Sequence, residues 1–410
     1  MEEWIFLGKM GLLILIGFGG YKLSKMTGIF GIPIYLGIGI LFGHFILGFK
    51  PLAFEGITEG VLHICVAFIL FDGGFDLSLD FLKKNLRLIL ILTTVGILIT
   101  ALITGYATSL ILGWPIIYGL LFGSMISETD PATLIPLFKK YPVKEKVKTL
   151  LVSESGYNDP TGAVLTSALL TAVAASGGVN IPTIITQFAQ EAGIGLFFGA
   201  VIGILGSLAI KKIGMKKVGL VPIIVVLVLG SYFSAHFIGG SGFMGAITTG
   251  LFLKIGGVKF DPNYGSKKED TIEGISNYPS LVGRITIFVI LGSLVQFTAI
   301  ESIGLLGLLV VATLMFVGRP LTVVIGGFLG EFPNFRKSFS LKEIGFLSWT
   351  GNVRGVMPAT LAGIIVVRGI SHGHEMAGLT FVTVLITILV QASTTPILIK
   401  KWGLGKDKKS

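Results

Sequence analysis

Two short polar stretches hold the residues of this sequence that are best suited to chemistry. The stretch SESGYNDPTGAV, residues 153–164, carries a serine, a glutamate, an asparagine and an aspartate inside an apolar run. The stretch SETDPAT, residues 127–133, puts two acidic residues close before a proline. Polar groups kept from water cost several kcal/mol unless they find partners. Both stretches are therefore predicted to serve a function.

On a helix, residues four apart share a face. This spacing brings Ser155 together with Asp159, and Glu154 together with Asn158. Pro160 lacks an N–H group and is expected to loosen the helix beside Asp159. The stretch 153–164 is thus predicted to be a helix with polar groups on neighbouring faces.

The two stretches together offer the oxygen ligands that a hard monovalent cation needs. Asp130 and Asp159 would supply carboxylates, and Thr129 and Ser155 would supply further oxygens. A proton would bind the same carboxylates, because burial and a neighbouring carboxylate both favour the protonated acid. We therefore predict one site, with Na⁺ at Asp130 and Asp159, that holds either a cation or a proton.

The elements that must position these residues lie in lipid. Of 410 residues, 52% are hydrophobic and 13% are charged, and the mean hydropathy is +0.87, which is far from the composition of soluble domains. Stretches of about 20 apolar residues can span a bilayer. Thirteen such spans are predicted, with twelve possible because the first and ninth are weak: 5–24, 29–49, 57–75, 86–112, 115–138, 149–175, 186–210, 218–238, 242–256, 279–299, 303–328, 343–367 and 376–399.

The basic residues predict how the chain is oriented. Most of the 32 Lys and Arg residues fall in alternate loops and in the C-terminal stretch KKWGLGKDKKS. Since basic loops stay in the cytoplasm, the C-terminus is predicted to be cytoplasmic and the N-terminus outside, in a prokaryotic plasma membrane. The net charge of +10 then reflects topology, and a nucleic-acid partner is not expected.

Other classes of site are disfavoured. Cys65 is the only cysteine, so no disulfide framework or cysteine metal site is expected. The five histidines lack metal-ligand spacing, and no cofactor is expected. We expect a single transmembrane domain over 1–403, a short basic cytoplasmic tail over 404–410, and no soluble appendage.

An internal repeat indicates the fold. PATL occurs at 131–134 and again at 358–361, each time within a predicted span. Pro131 and Pro358 should break these helices and free the carbonyl groups four residues earlier. The two spans are the fifth and the twelfth, so they cross in opposite directions, as in inverted-repeat transporters. We predict an all-α polytopic membrane protein with about 13 transmembrane helices, inverted-topology repeats, and two broken, crossing helices.

A buried glutamate near the site needs a partner. For Glu154 the first candidate is Arg319 and the second is Arg354. The alternative that Glu154 is protonated or reaches water also stays open.

The spacing of Gly195, Gly199 and Gly203 permits close helix packing, either within the chain or at a dimer seam.

The sequence resembles the monovalent cation/proton antiporters, in particular the NhaP-like sodium/proton antiporters. The matching motifs run in order along the chain: FDGGFDLSLDFLKKN, SETDPAT, SESGYNDPTG, GGSGFMGAITTGL, FVILGSLV, VGRPLTV and SWTGNVRGVMPATLA. The resemblance implies a core bundle that includes about 57–175 and 279–399 and moves against dimerisation or scaffold helices in a homodimer.

The same resemblance implies roles for individual residues. It implies ion binding at Asp130 and Asp159 with help from Thr129 and Ser155, and it gives Asn158 the role of stabilising the crossed helices. The acidic position on the third helix of the family falls on Asp72, where a longer glutamate is expected, so Asp72 is a possible part of the ion path.

The predicted function is secondary antiport of Na⁺, or Li⁺, for H⁺ by alternating access, with a role in pH homeostasis and no enzymatic activity. Electrogenic relatives carry an aspartate where Asn158 stands and a lysine on the helix that corresponds to the one bearing Arg319, so exchange is expected to be electroneutral, one for one. The alternatives are a K⁺/H⁺ exchanger of the same architecture and, less favoured, a channel or an intramembrane aspartyl protease. The protease is disfavoured because the Gly-x-Gly-Asp signature is missing at both Asp130 and Asp159.

Overall fold

The protein is built from helices. A computed structural model describes residues 1–174, 181–213, 217–261, 264–331 and 338–405, and within these residues it contains no β-strand. The helices of this described part are α1 Glu2–Thr27, α2 Gly31–Ile46, α3 Pro51–Asp76, α4 Leu79–Leu112, α5 Ile116–Met125, α6 Pro131–Lys140, α7 Glu145–Ala174, α8 Ile181–Ile213, α9 Lys217–Phe237, α10 Gly242–Phe260, α11 Ser266–Leu294, α12 Phe297–Glu331, α13 Leu341–Thr350, α14 Val356–Val367 and α15 Gly373–Trp402.

These helices make up thirteen membrane segments. Within the described ranges, nine helices are long and apolar enough to cross a membrane unaided. The shorter α2, the polar α7 and the two pairs α5–α6 and α13–α14 complete the set. Helices suit lipid because every backbone group is satisfied within its own segment. The predicted all-α polytopic fold, with about thirteen segments and two broken helices, is confirmed.

The predicted tenth and eleventh spans need correction. The span predicted at 279–299 is the end of the longer helix α11, Ser266–Leu294, and the next helix begins at Phe297. The charged stretch before residue 279, interpreted as a loop, is largely helical. Ion pairs hold it, between Lys254 and Glu269 at 2.5 Å and between Lys268 and Asp261. Hydropathy reports preference for lipid rather than helix formation, so it missed these polar helical turns.

The chain forms two compact units. The first comprises Met1–Glu59, Asp80–Gly162 and Ile285–Ser410, and the second comprises Gly60–Leu79 and Ala163–Arg284. The predicted core bundle, about 57–175 and 279–399, does not coincide with either unit, and the predicted division into core and dimerisation helices stays a prediction. The part of the predicted basic tail from residue 406 onward lies outside the described residues, as do Lys216, Arg336 and Lys337 of the basic loops.

In the second unit, the small residues of α8 pack against α10. A Cβ atom on Gly199 would come within 2.5 Å of the Gly245 carbonyl oxygen, so only glycine fits there. Thr249 donates a hydrogen bond to the Gly199 carbonyl over 3.2 Å. The close helix packing predicted from the glycine spacing is thus formed within the chain.

In the first unit, glycines bring α4 against α5. A Cβ atom on Gly105 would lie 2.8 Å from the Gly119 carbonyl oxygen, and one on Gly123 would overlap the Ala101 carbonyl. Such backbone contact fixes the direction of α5. Helix α5 ends at Met125, where the first helix break begins.

Candidate functional site

Both predicted breaks are present in the first unit. Helix α5 ends at Met125 and α6 begins at Pro131, while α13 ends at Thr350 and α14 begins at Val356. The prolines start the second half of each broken helix and do not kink a continuous one. Pro131 is the first residue of α6, where its missing N–H would have no helical partner in any case. We call residues 126–130 the first break and residues 351–355 the second break.

The two breaks are joined directly to each other. The backbone N–H of Asp130 donates to the carbonyl of Val353 over 2.9 Å. The guanidinium of Arg354 donates to the carbonyl of Glu128. Gly355 lies against the Asp130 side chain so closely that a Cβ atom on it would overlap that carboxyl group. Backbone groups freed by the breaks therefore find partners in the opposite break.

Polar contacts fasten the first break to α7. The Asn158 side-chain amide donates to the Thr129 hydroxyl over 2.7 Å, and its carbonyl oxygen accepts from the Thr129 backbone N–H at 3.3 Å. The Thr129 and Ser155 hydroxyl oxygens are 2.6 Å apart. All three residues are buried. The structure thus brings together the oxygens of Thr129 and Ser155. Asn158 joins the first break to α7 through its two hydrogen bonds to Thr129.

Asp130 also has a structural task. Its Oδ2 atom accepts hydrogen bonds from the Thr133 backbone N–H at 3.1 Å and from the Thr133 hydroxyl at 2.5 Å. This is the geometry of an N-terminal helix cap, in which the carboxylate satisfies the first turn of α6. The sequence argument treated Asp130 only as an ion ligand and did not include this cap.

Asp159 lies on α7, one helical turn beyond Ser155 on the same face. Its side chain is almost fully buried. Asp130 and Arg354 act on it electrostatically, the first as a like charge and the second as an opposite charge. Pro160 was expected to loosen the helix here, yet α7 continues without interruption from Glu145 to Ala174. Asp159 therefore extends from the buried middle of a continuous helix.

Glu154 pairs with Arg319, the first of its two candidates. The two guanidinium nitrogens lie 2.5 and 2.8 Å from the two carboxylate oxygens, and each side chain is only 3% exposed. A π-helical turn, Leu314–Gly318, precedes Arg319 and shifts the register of α12 just before it. The second candidate, Arg354, instead contacts the first break and the Asn352 side chain.

Another π-helical turn supports the second break. Residues Thr387–Ala392 of α15 are π-helical. The Thr387 hydroxyl accepts from the Arg354 backbone N–H at 3.2 Å, and Gln391 accepts from the Asn352 amide at 3.3 Å. Two of the three π-helical turns in the described ranges thus lie beside residues of the second break or of the Glu154 pair, while the third, Gly39–Ile46, belongs to α2.

Asp72 belongs to the second unit. Its carboxylate accepts a hydrogen bond from Ser276 at 2.5 Å, and one guanidinium nitrogen of Arg284 lies 3.7 Å away. Both partners are on α11. Asp72 is buried, and its predicted place on the ion path stays a prediction.

The residue that the sequence argument left out of the site is Glu128. It lies in the first break next to Thr129 and is completely buried. Its only distinguishing signal was its position in SETDP, as an acidic residue two positions before Asp130.

Comparison with known proteins agrees with this architecture. The sequence model of the family described as "Sodium/hydrogen exchanger, transmembrane" matches residues 12–401. The chain is 29% identical to "Probable Na(+)/H(+) antiporter 2" of Methanocaldococcus jannaschii, over 96% of each protein. It is 30% identical to "K(+)/H(+) antiporter NhaP2" of Shewanella sp. (strain ANA-3), over 91% of this chain and 63% of that protein.

A solved structure resembles the whole fold. The sodium proton antiporter MjNhaP1 from Methanocaldococcus jannaschii at pH 8 superposes with a TM-score of 0.84 and 28% identity, over 99% of this chain and 100% of that one. The sequence resemblance to the cation/proton antiporters is thereby confirmed. This chain belongs to the family of transmembrane sodium/hydrogen exchangers and is a multi-pass monovalent cation/proton antiporter.

Proposed function

We propose that the protein exchanges Na⁺, or Li⁺, for H⁺ by alternating access, with Asp159 and Asp130 as the shared cation and proton site. The observation that carries this proposal is the cluster of polar residues where the two helix breaks contact each other. Two buried carboxylates lie there with the Thr129 and Ser155 hydroxyls, which are 2.6 Å apart. Helix breaks at bilayer depth are the usual ion sites of inverted-repeat transporters.

Each residue of the cluster would have a different role in binding the cation. The Asp159 carboxylate and the Ser155 and Thr129 hydroxyls offer oxygens to the cation, while Asn158 holds the first break against α7. Asp130 contributes negative charge while its Oδ2 caps α6. When the cation leaves, a proton replaces it on a carboxylate, because a buried, unneutralised carboxylate is costly.

The second candidate is K⁺/H⁺ exchange through the same site. The Shewanella relatives named K(+)/H(+) antiporter NhaP2 support it, at 30% identity. Reconstitution in liposomes distinguishes the two candidates. A pulse of Na⁺, Li⁺ or K⁺ outside acid-loaded vesicles should raise the luminal pH for the transported ions only. A response to K⁺ alone would reject the sodium assignment, and no response to any of the three would reject cation/proton exchange.

The remaining features of the proposal concern the cell. We propose a homodimer in the plasma membrane of a prokaryote, with the N-terminus outside and the C-terminus in the cytoplasm. The excess of basic residues in alternate loops supports this orientation. We propose a transporter with no enzymatic activity, no cofactor and no nucleic-acid partner, and with monovalent cations, protons and membrane lipid as its partners.

Competition for one site predicts how the transport rate depends on pH. If Na⁺ and H⁺ share the carboxylates, the apparent KM for Na⁺ should rise as the pH falls, by up to about tenfold per pH unit where the protonated form dominates. The maximal rate should return at higher Na⁺. Initial rates in proteoliposomes across a grid of pH and Na⁺ concentration measure both quantities. A KM that stays constant over the active pH range would instead indicate separate sites.

Charge balance predicts that transport is electroneutral. Asn158 does not titrate, and arginine, unlike lysine, does not lose its proton in proteins. One Na⁺ should therefore exchange for one H⁺. With an imposed Na⁺ gradient, a potential set by valinomycin and K⁺ should leave the initial rate of proton movement unchanged, and K⁺ without valinomycin is the control. A rate that follows the potential would contradict the one-for-one exchange.

A further inference from the structure

Glu128 is a buried acidic side chain that lacks the partners a structural carboxylate normally has. It is 0% exposed, and neither of its carboxylate oxygens has a hydrogen-bond partner in the part of the chain that the structure describes. Its backbone carbonyl accepts a hydrogen bond from Arg354. By contrast, the equally buried Glu154 has two bonds to Arg319. Because a buried charge without partners is costly, an ionised Glu128 carboxylate requires a cation as its partner.

The carboxyl group of Glu128 lies against α7 beside Asp159. A Cβ atom on Gly162 would come within 2.7 Å of its carboxyl carbon and closer still to two other atoms of the side chain. Gly162 is three residues beyond Asp159, so the two positions share a face. Side chains on a helix lean toward its N-terminus, which puts the space above Gly162 on the side of Asp159. The glycine thus leaves room for a second carboxyl group next to the first.

The charges around Glu128 fit a carboxylate pair. Asp159, from α7, acts on it as a like charge, and Arg354, from the second break, acts as an opposite charge. Asp130 acts on Asp159 in turn, and Glu154 and Arg319 lie within electrostatic reach of Arg354. A cation bound between two such carboxylates would offset their mutual repulsion.

We propose that Glu128 is a further cation-binding residue of this site, whose carboxylate faces the cation together with that of Asp159. The proposal rests on the exchange function proposed above. Glu128 then adds a charged oxygen ligand to those of Asp159, Thr129 and Ser155.

Glu128→Gln tests the proposal, because glutamine has the same shape but no charge. We expect the apparent KM for Na⁺ to rise by about tenfold or more, since bonds to charged groups are the strong ones. Glu145→Gln is the matched control, because Glu145 begins the same helix and its side chain is 63% exposed. If Glu128 only fills space, the KM stays at its wild-type value, and the proposal is wrong.

Gly162→Ala provides a second, independent variant. It keeps the charge of Glu128 but displaces its carboxyl group from α7, so the KM for Na⁺ should rise here as well. A wild-type KM in a folded Gly162→Ala protein would also overturn the proposal, even if Glu128→Gln does not fold. Wild-type protein measured in the same vesicles separates the two hypotheses. Exchange by the wild type with unchanged variants rejects only the role of Glu128, whereas no exchange by the wild type rejects the proposed function.

Discussion

Asp159→Asn should abolish cation/proton exchange and leave a folded protein. Asparagine matches aspartate in shape, so the packing of α7 around residue 159 is kept. It cannot carry the transported proton, and it binds a cation only through a neutral carbonyl oxygen. Because Asp159 is predicted to hold the cation in one half of the cycle and the proton in the other, both halves fail. Proteoliposomes with a Na⁺ gradient and a luminal pH dye measure the rate, and size-exclusion chromatography in detergent reports folding.

The variant Asp130→Asn separates the charge of Asp130 from its role as a helix cap. Asparagine caps a helix as well as aspartate does, so the bonds to Thr133 and the start of α6 should survive. Any loss of exchange then reflects the missing charge, and we expect exchange to be abolished or nearly so. Asp80→Asn, at the exposed N-terminal end of α4, is the control for a neutralised aspartate. A wild-type rate in folded Asp159→Asn would end the hypothesis of a shared carboxylate site.

The sequence was sufficient to predict the broken helices. Proline cannot continue a helix without losing a backbone bond, and polar residues next to Pro131 and Pro358 are too costly for lipid unless a site uses them. Both facts can be read from composition and spacing. The same reasoning paired Glu154 with an arginine, because a buried carboxylate requires compensation and few buried cations were available in the chain.

What the sequence did not reveal depends on contacts between distant segments. The burial of Glu128 follows from the approach of Gly162, 34 positions later in the chain. The capping role of Asp130 follows from the position at which α6 begins. The ends of helices depend on local backbone geometry, which hydropathy does not measure. The polar start of α11 was likewise hidden, because ion pairs such as Lys254 with Glu269 stabilise helical turns that no apolar pattern marks.

The buried pair of Glu154 and Arg319 predicts the largest effect on stability. Glu154→Ala should leave an unpaired buried guanidinium, and Arg319→Ala an unpaired buried carboxylate, each at a cost of about 3–5 kcal/mol. The double variant removes both charges, so its loss should be much smaller than the sum of the two single losses. Thermal unfolding in detergent, followed for the wild type, both single variants and the double variant, gives the coupling between the two residues.

An exposed ion pair of the same unit is the matched control for this cycle. Arg368 lies 2.5 Å from Glu59, with side chains 44% and 22% exposed, and its removal should cost at most about 1 kcal/mol because water screens the pair. Losses that simply add in the Glu154 and Arg319 cycle would rule out this pair as a unit. Coupling of Glu154 to Arg354 in a parallel cycle would then identify the alternative partner, and the bidentate contact seen here argues that this second coupling is the weaker one.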